Sequence, residues 1–213
     1  MKLAFSIPEQ LYWIHDFLPV DLYTKIHKVC IKQKKNINLH SKWTKSWPTY
    51  TIDNIIKPPK STGFNQLESV IPASRDLWQD LKTRVKHNPY RPIKELTFSS
   101  SLIYMMEKNS GIQWHDDYPK KSRFLDRNAN LNLKNMQNYW GIRSDWKYAA
   151  SLYLNHRWDD TWGGELMYTD SNTRGYIPIV GNSLVLMRTP LQHKVNTVLS
   201  PVLPRVSIQM FLR

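Results

Sequence analysis

Cysteine is nearly absent. Cys30 is the single one, so no disulfide can close within the chain. That suits a reducing compartment and leaves no thiolate set for a structural zinc site. No run of about 18 apolar residues occurs, which excludes a membrane-spanning helix on sequence grounds. Residues 1–10, with Lys2 and Pro8, lack the apolar stretch of a secretory leader, so the expected location is the cytoplasm. Internal repeats, low-complexity tracts and clear linkers are also missing, and 213 residues fit one domain better than two. Acids are scarce: 17 Asp and Glu stand against 30 Lys and Arg, a net charge of +13. Nothing in these features specifies an oligomeric state.

Aromatic residues are plentiful. Nine Trp, eleven Tyr and six Phe, within 41% hydrophobic residues, supply large apolar surfaces and argue for a packed core. Positive charge is densest from Lys25 to Lys60, where nine Lys meet one acid, Asp53, and Trp43, Trp47 and Tyr50 are interleaved. A solvated face accounts for such a stretch. A surface that meets phosphates and stacks bases would have the same composition.

Alternation from Tyr12 to Phe17 predicts a short strand. Asp21 is placed to cap a helix over 22–34, with Leu22, Ile26, Val29 and Cys30 on one face. Residues 36–72, punctuated by Pro48, Pro58, Pro59 and Gly63, read as irregular. A second helix opens at Ser74-Arg75-Asp76 and runs to His87, with Leu77, Leu81 and Val85 at helical spacing. From Leu96 the character changes to short β-rich runs at 97–98, 102–104, 112–114, 149–154, 165–168, 183–187 and 206–212. A mainly helical part over 1–95 followed by strands over 96–213 predicts an α+β domain. Its core would be a jelly roll of two facing sheets, with the N-terminal helices packed on it. The segment 118–146 interrupts the strand pattern. It is polar, rich in Asn and basic residues, and carries Tyr139, Trp140 and Trp146, as a lid over a site would.

The chemistry starts at His115-Asp116-Asp117. Continued as an extended strand, it puts His115 and Asp117 on one face, about 6–7 Å apart along the backbone, with Asp116 on the other. An imidazole and a carboxylate so placed can close on one small cation. Among the remaining histidines, His193 stands apart because it follows an apolar strand led by Gly181 and precedes another. Two His and one carboxylate leave three coordination positions open and suit Fe(II). Twelve residues on, Arg205 and Ser207 share a strand face. A guanidinium fork binds a carboxylate bidentately and a hydroxyl adds one more bond. The surrounding Val206, Ile208, Met210 and Phe211 predict that Arg205 is buried, where a cation without an anionic partner is costly.

Taken in order, six motifs resemble one family. They are Tyr104 with Gly111-Ile112-Gln113-Trp114-His115-Asp116-Asp117; Tyr153-Leu154-Asn155 with Trp158; Gly163-Gly164-Glu165-Leu166; Pro178 with Gly181 to Leu186; His193-Lys194-Val195; and Arg205-Val206-Ser207. The chain from Tyr104 to Phe211 resembles the 2-oxoglutarate oxygenase superfamily in its prolyl-4-hydroxylase-like branch, with an insertion after Asp117. The N-terminal Ile14-His15-Asp16-Phe17-Leu18-Pro19 is similar to the usual opening of that branch. The resemblance implies a double-stranded β-helix and the cofactors Fe(II), 2-oxoglutarate and O2, with ascorbate as an auxiliary reductant. It assigns the iron to His115, Asp117 and His193, and the far carboxylate of 2-oxoglutarate to Arg205. Tyr153 would share that carboxylate, Leu166 would line the pocket, and Tyr104 falls near another pocket tyrosine.

The implied reaction is hydroxylation of a C–H bond with release of succinate and CO2. A peptidyl, prolyl-type side chain is the first substrate expectation. A nucleic-acid base reached through the Lys25–Lys60 stretch, or a free amino acid or other small molecule, is the alternative. Phe211 stands where nucleic-acid repair oxygenases carry a second pocket arginine, which weighs against the base. A jelly-roll binding module without metal is the non-enzymatic alternative. The intact ligand set and Arg205 weigh against it.

Overall fold

The computed structural model describes residues 1–32, 75–115, 117, 147–170 and 173–213. Among them, ten strands and two α-helices follow in the order β1 (Lys2–Ile7), β2 (Leu11–His15), α1 (Val20–Lys32), α2 (Arg75–Lys86), β3 (Phe98–Met106), β4 (Ile112–His115), β5 (Tyr148–Tyr153), β6 (Leu166–Thr169), β7 (Arg174–Ile177), β8 (Leu184–Arg188), β9 (Gln192–Val195) and β10 (Arg205–Leu212). The larger sheet has the order β1-β2-β8-β5-β10-β3 and the smaller β4-β9-β6-β7. All pairings are antiparallel.

Period-2 alternation sorts the larger sheet into two faces. Ile103, Leu152, Leu184, Ile208, Met210 and Leu212 pack on one side with Leu22, Ile26 and Cys30 of α1 and Trp78, Leu81 and Val85 of α2. On the other side Leu11, Ala149, Tyr153, Val185, Met187 and Phe211 meet Leu166, Tyr168, Ile177 and Val195 of the smaller sheet. The central strands β8, β5 and β10 of the larger sheet are therefore buried on both faces, which is why β5 and β8 read as continuous apolar runs, while the edge strand β1 is largely exposed. Each fully buried Leu or Ile contributes about 1.5–3 kcal/mol. The architecture is the expected jelly roll with helices on its outer face.

Several details depart from the sequence pattern. The runs at 97–98 and 102–104 merge into the single strand β3. Helix α1 starts at Val20, so Asp21 lies in its first turn, where it favours the positive end of the helix dipole instead of capping it. Strands β1, β7 and β9 were not expected. β7 (Arg-Gly-Tyr-Ile) and β9 (Gln-His-Lys-Val) lack a clean apolar alternation and are held by ladder bonds to β6, whereas β1 alternates Leu3, Phe5 and Ile7 with Lys2, Ala4 and Ser6 and pairs with β2. Residues 36–72, the 118–146 segment and most of the Lys25–Lys60 stretch lie outside the described residues. Among the described residues no helix is long and apolar enough to cross a membrane.

Candidate active site

The smaller sheet places the metal-ligand candidates. In the β4–β9 ladder His115 stands directly opposite His193, with a register shift between Ile112 and His115. His193 is buried, and its Nδ1 lies 2.9 Å from the Leu191 carbonyl oxygen. A carbonyl can only accept, so Nδ1 carries a proton, and in the neutral ring Nε2 is the nitrogen with a lone pair for a metal. That Nε2 is 3.3 Å from Asp117 Oδ2, and both side chains are more than nine-tenths buried. An imidazole nitrogen and a carboxylate oxygen at this distance, away from water, can share a proton or a metal cation. The donor set therefore fits a divalent metal.

Asp117 does not reach this position by strand alternation. Strand β4 ends at His115, and Asp117 has φ +51°, in the left-handed region that Asp tolerates better than most side chains. A turn, and not continued strand alternation, brings Asp117 beside His193.

The larger sheet builds the second half. Across β3, β10 and β5, Tyr104 stands opposite Ser207 and Ser207 opposite Tyr153. Arg205 shares their inner face and is 3% exposed. Its Nε donates to the Gly164 carbonyl at 3.0 Å, Nη1 donates to Ser207 Oγ at 3.1 Å, and Nη1 lies 3.8 Å from Met106 Sδ. The guanidinium carbon lies 5.0 Å from the centre of the Tyr153 ring. No carboxylate pairs with Arg205 among the described residues.

The Tyr153 hydroxyl is buried and meets full hydrogen-bond geometry with no described group. Burial pushes its pKa above the ordinary value, and Arg205, through its charge and a weak side-chain hydrogen bond, offsets part of that rise. Burial, and after it the charge of Asp117, pushes the Tyr104 phenol well above its ordinary pKa. A buried guanidinium without an anion among the described residues, beside a buried phenol, forms a cradle for a carboxylate.

Two supports were not legible beforehand. Gly164, at φ +78°, offers its carbonyl to Arg205, and a Cβ there would lie 3.2 Å from Arg205 Cδ and 3.0 Å from Ile179 Cδ1. Asn155 accepts from the Val206 backbone N–H and donates to the Pro204 carbonyl, both at 2.8 Å, fixing the start of β10. The recurrence of Gly163-Gly164 and Asn155 in the quoted motifs was the only sequence signal for them. Leu166 is buried in the cluster between the sheets, on the same side as Tyr153.

A family model described as the 2OG-Fe(II) oxygenase superfamily matches residues 101–213. Among curated proteins no relative matches. Among solved structures, the chain is similar to a Pseudomonas putida prolyl-4-hydroxylase, with TM-score 0.53 and 15% identity over 96% of this chain and 92% of that one. It is also similar to a Trichoplax adhaerens prolyl hydroxylase in complex with a hypoxia inducible factor oxygen degradation domain peptide fragment. There the TM-score is 0.55 and the identity 15%, over 96% of this chain and 84% of that one. At such identity the likeness concerns the fold.

Proposed function

We propose that this chain, which belongs to the 2OG-Fe(II) oxygenase superfamily, hydroxylates a C–H bond of a peptidyl, prolyl-type side chain and releases succinate and CO2. As a 2-oxoglutarate-dependent dioxygenase it requires Fe(II), 2-oxoglutarate and dioxygen. One observation supports the residue assignment above the others: the buried Arg205, without a carboxylate partner among the described residues, lies over the ring of the buried Tyr153. A dicarboxylic cosubstrate supplies the charge and the acceptor those groups lack.

His193 and Asp117 hold the metal, with His115 as the third ligand at the register position opposite His193. The bound metal supplies the activation of dioxygen. Leu191 keeps Nδ1 of His193 protonated, so that Nε2 remains a donor to the metal. Arg205 and Tyr153 grip the far carboxylate, and Ser207 orients the guanidinium through its contact with Nη1. Leu166 and Ile177 keep water from that end of the pocket. The peptidyl substrate rests on the fold likeness to prolyl hydroxylases, one of which is held with a peptide.

Purified protein with Fe(II), 2-oxoglutarate and a library of proline-containing peptides should give succinate and a one-oxygen mass gain on peptide. Under labelled dioxygen the label should enter the peptide. Succinate formed with nucleosides or free amino acids but with no peptide would overturn the substrate assignment and leave the cosubstrate assignment standing.

A further inference from the structure

Away from the oxygenase centre, three ring side chains meet between α1 and the segment that leaves β5. Tyr23 and His27 stand four residues apart on α1, so they share one helical face. His156 comes from the other side, directly after Asn155. Its ring centre lies 4.0 Å from that of His27, at an interplanar angle of 67°, and 4.9 Å from that of Tyr23, at 75°. Tyr23 is buried, and its hydroxyl lies 2.8 Å from where a Cβ on Gly181 would stand. The phenol oxygen is therefore engaged toward Gly181, and the ring of Tyr23 backs the two histidines.

Among the described residues neither imidazole makes a hydrogen bond or an ion pair, and their contacts are with each other and with Tyr23. His27 is partly buried and His156 exposed, so the pair opens to solvent. Burial, and after it the neighbouring His156, lowers the pKa of His27 from its ordinary 6.5. His27 is therefore neutral at pH 7, the form whose ring nitrogen has a lone pair for a metal. The site is separate from the active-site ligands. Helix α1 packs on the outer side of the larger sheet, whereas His193 and His115 belong to the smaller sheet.

We propose that His27 and His156 form a second metal site, one that takes Zn(II), Ni(II) or Cu(II) with water completing the coordination. Imidazole suits these cations, and Mn(II) and Fe(II) stand at the weak end of the same affinity series. Bonds of about 2.0–2.1 Å put two donor nitrogens about 3 Å apart and their ring centres about 5 Å apart. The rings now stand at 4.0 Å, a gap that the exposed His156 opens by turning outward about 1 Å. One ligand sits on a helix. The other follows Asn155, whose side chain holds the Val206 N–H and the Pro204 carbonyl at 2.8 Å. A cation shared by the two ties α1 to the segment that fixes the start of β10.

The probe is Zn(II) alone, on untagged full-length protein carrying Asp117→Ala and His193→Ala, which takes two ligands out of the active site. Calorimetry at neutral pH should read one equivalent bound, and the unfolding temperature should rise with Zn(II) concentration. Adding His156→Ala, at an exposed position, should remove both effects, and so should adding His27→Gln. Cu(II) on the same background should show two imidazole nitrogens by electron paramagnetic resonance, and fewer after either substitution. No Zn(II) bound by the background protein overturns the proposal, as does an equivalent that survives both substitutions. Should the background protein not fold, His156→Ala is compared with the unaltered chain. Two Zn(II) equivalents falling to one support the site, and an unchanged count overturns it.

Discussion

His193 Nε2 lies 3.3 Å from Asp117 Oδ2, close to the separation of about 3 Å kept by two ligands bonded to one cation at 2.0–2.2 Å. The Leu191 carbonyl holds the other ring nitrogen, so the imidazole is oriented before any metal arrives. His193→Ala and Asp117→Ala should therefore each abolish turnover and lower Mn(II) affinity by tenfold or more. Leu191→Ala, which keeps the carbonyl, should lower it far less. Equal metal affinity in Asp117→Ala and wild type, measured by calorimetry, would place the carboxylate ligand elsewhere.

Arg205 is the second point of attack. It is buried, and its described partners are a carbonyl, a hydroxyl and a thioether. Losing one member of a buried charge pair costs about 3–5 kcal/mol, two to nearly four decades of affinity. Arg205→Ala should raise the 2-oxoglutarate Kd by that order while Mn(II) affinity stays within a few-fold. An unchanged dependence on 2-oxoglutarate would move the anchor off β10.

Tyr153→Phe separates binding from stability. The one neighbour that bears on the hydroxyl is the Arg205 guanidinium, which keeps its bonds to Gly164 and Ser207 when the hydroxyl is removed. The unfolding temperature should hold or rise slightly, and 2-oxoglutarate binding should weaken about tenfold. A marked loss of stability with unchanged binding would make the hydroxyl a structural group.

Alkaline pH tests the helix interface. Burial pushes the Cys30 thiol from an ordinary 9.0 up to about 12, and the Tyr23 phenol from 10.0 up to about 12. Both belong to α1 and pack in the core beneath it. The unfolded chain ionises first. Their contribution is therefore complete below pH 9 and is lost as pH rises from 9 toward 12. Urea midpoints measured from pH 7 to 11 should fall above pH 9 in wild type. In Cys30→Ala the fall should begin nearer pH 10, whatever its absolute stability. Parallel curves for the two proteins would show that the thiol is not desolvated.

Much of the site was legible because its chemistry depends on residue type and strand period. Imidazole, carboxylate and guanidinium at His115, Asp117, His193 and Arg205 admit few reactions in combination, and alternation alone puts Arg205 and Ser207 on one face. Apolar runs at helical spacing likewise marked the buried sides of both helices, at Leu22, Ile26 and Cys30 and at Leu81 and Val85. Tertiary structure decided the rest. Strand partners are chosen by ladder register between distant segments, so the row Tyr104–Ser207–Tyr153 exists only once β3, β10 and β5 are neighbours. The same holds for the carbonyl that clamps Arg205, which comes from Gly164, 41 residues away in the chain. Asp117 reaches His193 through a left-handed turn that strand period cannot predict, because the backbone stops being extended at His115. Local sequence sets which groups a segment can offer, and long-range pairing sets which of them meet.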